Sequence, residues 1–77
     1  MMQTYGIGDT AKKTGITIKQ LRYYEDKGYI KPPERVVCGE RAYRRYTDEQ
    51  IAFLRDLKGY MDKGYKLHRA LRYAEKN

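Results

Sequence analysis

One cysteine, one histidine, two prolines and no apolar run longer than a few residues are the scarcities that narrow this 77-residue sequence first. Cys38 alone cannot form an internal disulfide, and with His68 as the sole imidazole no Cys/His metal cluster can be assembled. Scattered acids with one Cys and one His give no nucleophile, base and orienter, so no catalysis and no cofactor are expected. No stretch resembles a signal peptide or a membrane span, and the cysteine usage suits a reducing cytosol. The length suits one small domain near the lower end of what a single core supports, and a catalytic cleft walled on several sides is hard to build at that size.

What the sequence does have is positive charge, unevenly placed. Seventeen Lys and Arg stand against ten Asp and Glu, a net charge of +7. Residues 12–46 hold ten of the bases and only four of the acids, so most of the excess sits in that window. A localised excess of this kind is the footprint of a polyanion's partner, most often nucleic acid, although a solvated basic surface with no target is an equal reading on charge alone.

Punctuation divides the chain into four short helices and a hairpin. A first helix is predicted over roughly Gly8–Thr14, with Ile7 and Ala11 on one side and Gly15 as its stop. Thr17 followed three residues later by Gln20 is a capping box, which starts a second helix running to about Lys27. Gly28 and Pro32-Pro33 end it. Two helices joined by a short turn around a glycine have helix-turn-helix spacing. On the second helix Ile18, Leu21 and Tyr24 or Glu25 form the inward stripe, leaving Lys19, Arg22, Tyr23 and Asp26 outside. Arg35-Val36-Val37 and Ala42 to Tyr46 flank a turn containing Gly39, which predicts a hairpin with its tip at Cys38–Arg41. Thr47 and Gln50 form a second capping box; Ile51, Leu54, Leu57 and Met61 then mark one apolar face, and Gly64 stops that helix. The last helix, about Leu67 to Glu75, turns Leu67, Ala70, Leu71 and Ala74 inward.

The order of these motifs resembles the MerR family of bacterial transcription regulators. The resemblance is carried by Leu21-Arg22-Tyr23-Tyr24-Glu25, then Gly28-x-Ile30-x-Pro32, and by Tyr43-Arg44-Arg45-Tyr46 leading into a capping box; it spans roughly residues 5–73. It implies one domain over 1–77, mainly α with a small β-hairpin wing. In this winged helix-turn-helix the helix-turn-helix occupies about 7–28, the wing about 34–46 and a second-wing helix pair about 48–75. The second helix would enter the major groove of double-stranded DNA, with Thr17, Lys19, Gln20 and Arg22 near base edges and phosphates and Tyr23 at the backbone. In the wing, Arg44 matches the family's DNA-facing arginine, with Tyr43 and Arg41 close by. Lys63, Tyr65 and Lys66 of the second wing would reach a flanking phosphate. Family members typically continue into a long dimerisation helix and an effector domain. The sequence ends at Asn77, where that helix would begin, so it is either a complete minimal protein or an excised domain. A regulator without its own effector domain within this chain, cytoplasmic and nucleoid-associated, is expected.

The chemistry of the residues agrees with this. Arginine presents a rigid fork of donors that matches guanine edges and phosphates, whereas Lys19 is a mobile charge. A tyrosine hydroxyl can donate to a phosphate while the ring packs on the sugar. Four residues at base edges read only a few base pairs, so binding as a homo-oligomer on DNA is expected. Arg44 and Arg45 alternate along a strand, so one is expected at DNA and the other over the domain body. Arg22 pairing with Asp26 is the bland alternative to DNA contact. Tyr60, Tyr65 and Tyr73 form either a protomer contact or the end of a thin core. Two rival functions remain open at this point: an excisionase or architectural DNA-bending factor, and a MerR-like adaptor that binds a protein partner.

Overall fold

Two threonines set the beginnings of the two helices on which the domain is built. In the computed structural model, which describes residues 3–76, the order is β1 (Thr4–Tyr5), α1 (Ile7–Thr14), α2 (Ile18–Asp26), β2 (Glu34–Cys38), β3 (Arg41–Thr47), α3 (Asp48–Asp62) and α4 (Leu67–Lys76). Thr17 caps α2 and Thr47 caps α3. Each hydroxyl accepts from the backbone N–H of the glutamine three residues on, and that glutamine's carbonyl accepts from the threonine N–H. Immediately before each threonine lies a buried apolar residue, Ile16 or Tyr46, and at the fourth helical position another, Leu21 or Ile51. These placements are those of hydrophobic staples, which fix the angle at which the chain enters each helix.

Gly15 ends α1 in the left-handed conformation at φ 78°, its N–H donating to the Ala11 carbonyl at 2.9 Å. A side chain there would be strained and would press on the Lys58 stem. The turn from α1 to α2 is therefore three residues long. Inside it the Thr14 hydroxyl donates to the Thr10 carbonyl at 2.8 Å and accepts from the Ile16 N–H at 3.2 Å. The side of α1 most deeply buried is lined by Thr10 and Thr14, with Ile7 and Ala11 half-buried beside them.

The sheet has the order β1-β3-β2, antiparallel throughout. The β2–β3 hairpin closes through Gly39 and Glu40, with Cys38 and Arg41 as its last pair. Gly39 has φ 67° and no non-glycine residue among those described has a positive φ, so only the first turn residue is left-handed, as in a type II′ turn. β1 is an addition that sequence patterning does not reveal. It is two residues long and exists only by pairing Thr4 with Thr47 and Tyr5 with Tyr46.

The core gathers Ile16, Leu21, Tyr24, Ile30, Tyr46, Ile51, Leu54, Leu57, Ala70, Leu71 and Ala74. One expectation fails here: Ile18, assigned to the inward stripe of α2, is 40% exposed. It occupies the first helical position, and Ile16, one residue ahead of the cap, already fills the space beneath that turn. No helix among the described residues is long and apolar enough to cross a membrane.

Candidate nucleic-acid interface

The outer face of α2 is assembled by helical spacing alone. Lys19, Arg22, Tyr23 and Asp26 stand on one side and are exposed, while Leu21 and Tyr24 are buried on the other. The adjacent tyrosines divide accordingly. Tyr24 is core, its hydroxyl directed at the Met61 sulfur 3.7 Å away, and burial pushes its pKa up. Tyr23 is 48% exposed, with its ring edged by Tyr24 and Tyr29 and the Lys27 ammonium 5.9 Å from its centroid. Those contacts engage the ring and not the hydroxyl.

Among the described residues Arg22 and Lys19 make no ion pair, and Arg22 does not pair with Asp26. The first turn of α2 contains no acid, so the positive end of the helix dipole is not offset by the protein's own carboxylates. Thr17 and Gln20 are engaged in the capping box at 3.1 Å in both directions. Their oxygens hold the helix start, and of the two side chains only the Gln20 amide nitrogen is left to donate outward.

The wing is organised by Glu25, which helical spacing offered for the inward stripe as an alternative to Tyr24 but without its partners. Arg35 and Arg44 are direct cross-strand partners, and like charges in that relation repel. Glu25, from the last turn of α2, lies between them with its side chain 8% exposed. Its Oε1 accepts from Arg44 Nε at 2.9 Å. Its Oε2 accepts from Arg44 Nη2 at 3.3 Å and from Arg35 Nη2. Hydrogen bonding to Glu25 raises the Arg44 pKa further above its ordinary range. The available signal was Arg35 itself, which faces Arg44 in any hairpin that turns at Gly39-Glu40, so that the pair needs a counter-ion.

The expected division of Arg44 and Arg45 changes in consequence. Arg45 does lie over the body, its Nε donating to the Thr4 hydroxyl at 3.1 Å and its Nη2 to the Thr4 carbonyl at 2.9 Å. Arg44 is also engaged within the chain, so neither guanidinium is free. Strand alternation puts Arg41 and Tyr43 on the face opposite Arg44. Arg41 and Tyr43 are exposed near the tip, beside Cys38, which is also exposed.

At the turn between α3 and α4, Lys63, Tyr65 and Lys66 are exposed. The Lys63 ammonium lies 5.6 Å from the Tyr60 ring, and the rings of Tyr60, Tyr65 and Tyr73 meet at centroid distances of 5.1 to 6.1 Å. A groove of about 440 Å³ elsewhere is lined by Ile30, Pro32 and Phe53 with Glu34, Glu49 and Glu75 among its other walls. Its carboxylates make it a poor seat for a polyanion, in contrast to the face of α2.

A family model described as "MerR HTH family regulatory protein" matches residues 5–76. CueR of Salmonella typhi, an HTH-type transcriptional regulator, is 43% identical over 61 residues, covering 79% of this chain and 42% of that protein. YyaN of Bacillus subtilis, an uncharacterized HTH-type transcriptional regulator, is 39% identical over 66 residues, covering 86% and 46%. The chain thus spans less than half the length of these curated relatives. Among solved structures, a MerR family transcriptional regulator from Bacillus cereus superposes with a TM-score of 0.77 at 23% identity over 91% of this chain and 50% of that one. HiNmlR, a MerR family regulator lacking the sensor domain and bound to promoter DNA, gives 0.74 at 32% identity, covering 95% and 53%.

Proposed function

The chain belongs to the MerR family of HTH regulatory proteins, and from that premise we propose that it binds double-stranded DNA sequence-specifically, with α2 in the major groove. The observation that carries this reading is the outer face of α2. There Lys19, Arg22 and Tyr23 are exposed together at a helix start with no acid in its first turn, and the two cations are without an ion pair among the described residues. The promoter DNA held by HiNmlR supports carrying the same partner over to this chain.

In this reading Arg22 reads a base edge, Lys19 and the Tyr23 hydroxyl engage phosphates, and Thr17 and Gln20 keep the helix start rigid while the Gln20 amide donates. Arg41 and Tyr43 approach backbone from the hairpin tip, and Lys63, Tyr65 and Lys66 approach a flanking phosphate. Arg44 contributes to DNA from the Glu25 cluster, with whichever N–H groups Glu25 leaves unused. So few base contacts call for more than one copy per site.

Duplexes selected from random sequence and then titrated by fluorescence anisotropy across salt concentrations test the proposal. Affinity should fall linearly on a log–log plot, with a slope of about −0.9 for each phosphate neutralised. Binding that is absent, or indifferent to salt, overturns it.

A further inference from the structure

The backbone of α2 packs on α1 and scarcely approaches the hairpin, while β3 packs against β2, β1, α1 and α3. Tyr46 anchors the base of β3 in the core that Leu21 and Tyr24 share. Beyond that anchor, the side-chain link from the groove-reading helix to both strands of the wing is Glu25 with Arg35 and Arg44. We propose that Glu25 is the positioning residue that sets the angle of the wing against α2, and hence the spacing between the two surfaces that grip DNA; this rests on the DNA reading above.

Three features make the link a positioning device as well as a tether. Arg44 engages both carboxylate oxygens, through Nε and Nη2. A two-point fork fixes orientation as well as distance, which a single ammonium contact does not. The second arginine, Arg35, comes from the other strand, so both strands of the hairpin are held to one point on α2. Finally, the two guanidiniums are directly opposed, and without the carboxylate their repulsion acts to pry the base of the hairpin away from its present position. Glu25 itself touches no DNA in this arrangement; it acts through the arginines.

A role in positioning has a signature that simple loss of stability lacks. Glu25→Gln keeps the shape of the side chain, removes one negative charge and releases two arginines. Non-specific affinity for a random duplex should therefore hold or rise, while the ratio of preferred to random affinity falls about tenfold, the size of one lost base-pair contact. Partial unfolding would lower both affinities together.

The single cysteine supplies a geometric readout that needs no DNA. A nitroxide on Cys38, exposed at the hairpin tip, broadens the amide signals of nearby residues in an ¹⁵N-labelled sample. The pattern over α2 should change in Glu25→Gln relative to the unaltered chain. Arg44→Lys, which keeps the charge and loses the fork, should change it in the same sense and serves if Glu25→Gln does not fold. An unchanged pattern in the folded variants overturns the proposal, as does an altered pattern with the specificity ratio of Glu25→Gln intact. Should the unaltered chain bind no duplex, the DNA reading and the spacing role both fall, while the nitroxide measurement still decides whether Glu25 sets the wing.

Discussion

Helices α2 and α3 begin alike and serve opposite ends. Each has a buried residue, a capping threonine, a reciprocal glutamine and a second buried residue, in the same order and spacing. The first turn of α3 then holds Asp48 and Glu49, which lie where the helix dipole favours negative charge. Its 15 residues continue through Ile51, Leu54 and Leu57 as the spine of the core. The 9 residues of α2 put Ile18 and Lys19 at the positions of those two acids, place Arg22 one turn further on, and bury only Leu21 and Tyr24. Capping satisfies orphaned backbone donors and so concerns folding; the charge placed around the cap concerns the partner. The same device carries exposed carboxylates at the start of α3 and exposed cations at the start of α2.

The sharpest way to break that comparison is to truncate one arginine on each helix. Arg22→Ala should weaken binding to a selected duplex by about 1–3 kcal/mol and relax preference at one base position, with thermal stability unchanged. Arg55, on α3, donates its Nε to the Lys13 carbonyl at 2.9 Å, which ties the end of α1 to α3. Arg55→Ala should lower the melting temperature and leave base preference alone. Anisotropy on a panel of single-base variants, paired with melting curves, checks both. If Arg55→Ala relaxes base preference, or Arg22→Ala weakens all duplexes equally, the division between the two helices is wrong.

Much of this was legible because it is local. The capping boxes, the glycine stops and the apolar spacing of α3 and α4 are fixed by residues a few positions apart, and those elements appear within a residue or two of their expected bounds. The split between Tyr23 and Tyr24 also follows from helical spacing. Long-range pairings were less accessible. β1 exists only because Thr4 and Tyr5 meet a strand more than forty residues on. The inward place of Ile18 was lost to Ile16, a competitor outside the helix that period counting does not weigh. The Glu25 cluster needed the hairpin register, which turns on the left-handed conformation of Gly39. Arg44 could be matched to a motif, but its partner lay on another element.

Smaller effects should separate the shared construction from the divergent one. Thr17→Ala and Thr47→Ala each remove a side-chain acceptor from a helix start and should each destabilise the domain by about 1 kcal/mol. Urea unfolding of the two variants measures this. Near-equal losses would confirm that the caps do the same structural work in both helices. A loss at Thr17 several times that at Thr47 would mean that α2 depends on its cap for want of core contacts.

The smallest difference lies one residue ahead of each cap, where α2 has Ile16 and α3 has Tyr46. Tyr46 is fully buried, and its hydroxyl finds no hydrogen-bond partner among the described residues. A buried hydroxyl left unpaired is a net cost. Burial first, and then the negative charge of Glu25, raise its pKa above the ordinary phenol value. The sign of the pH effect follows. Because the folded pKa lies above the unfolded one, the neutral phenol's contribution is complete below about pH 10 and is lost as pH rises through the folded value. Tyr46→Phe should therefore gain up to about 1 kcal/mol at neutral pH and flatten the alkaline decline. Tyr24, whose pKa is raised by burial as well, would still contribute to that decline. Denaturant unfolding at neutral and alkaline pH decides the matter, since a loss at neutral pH would mean that the hydroxyl is hydrogen-bonded in solution and that the two helix entries differ in more than one oxygen.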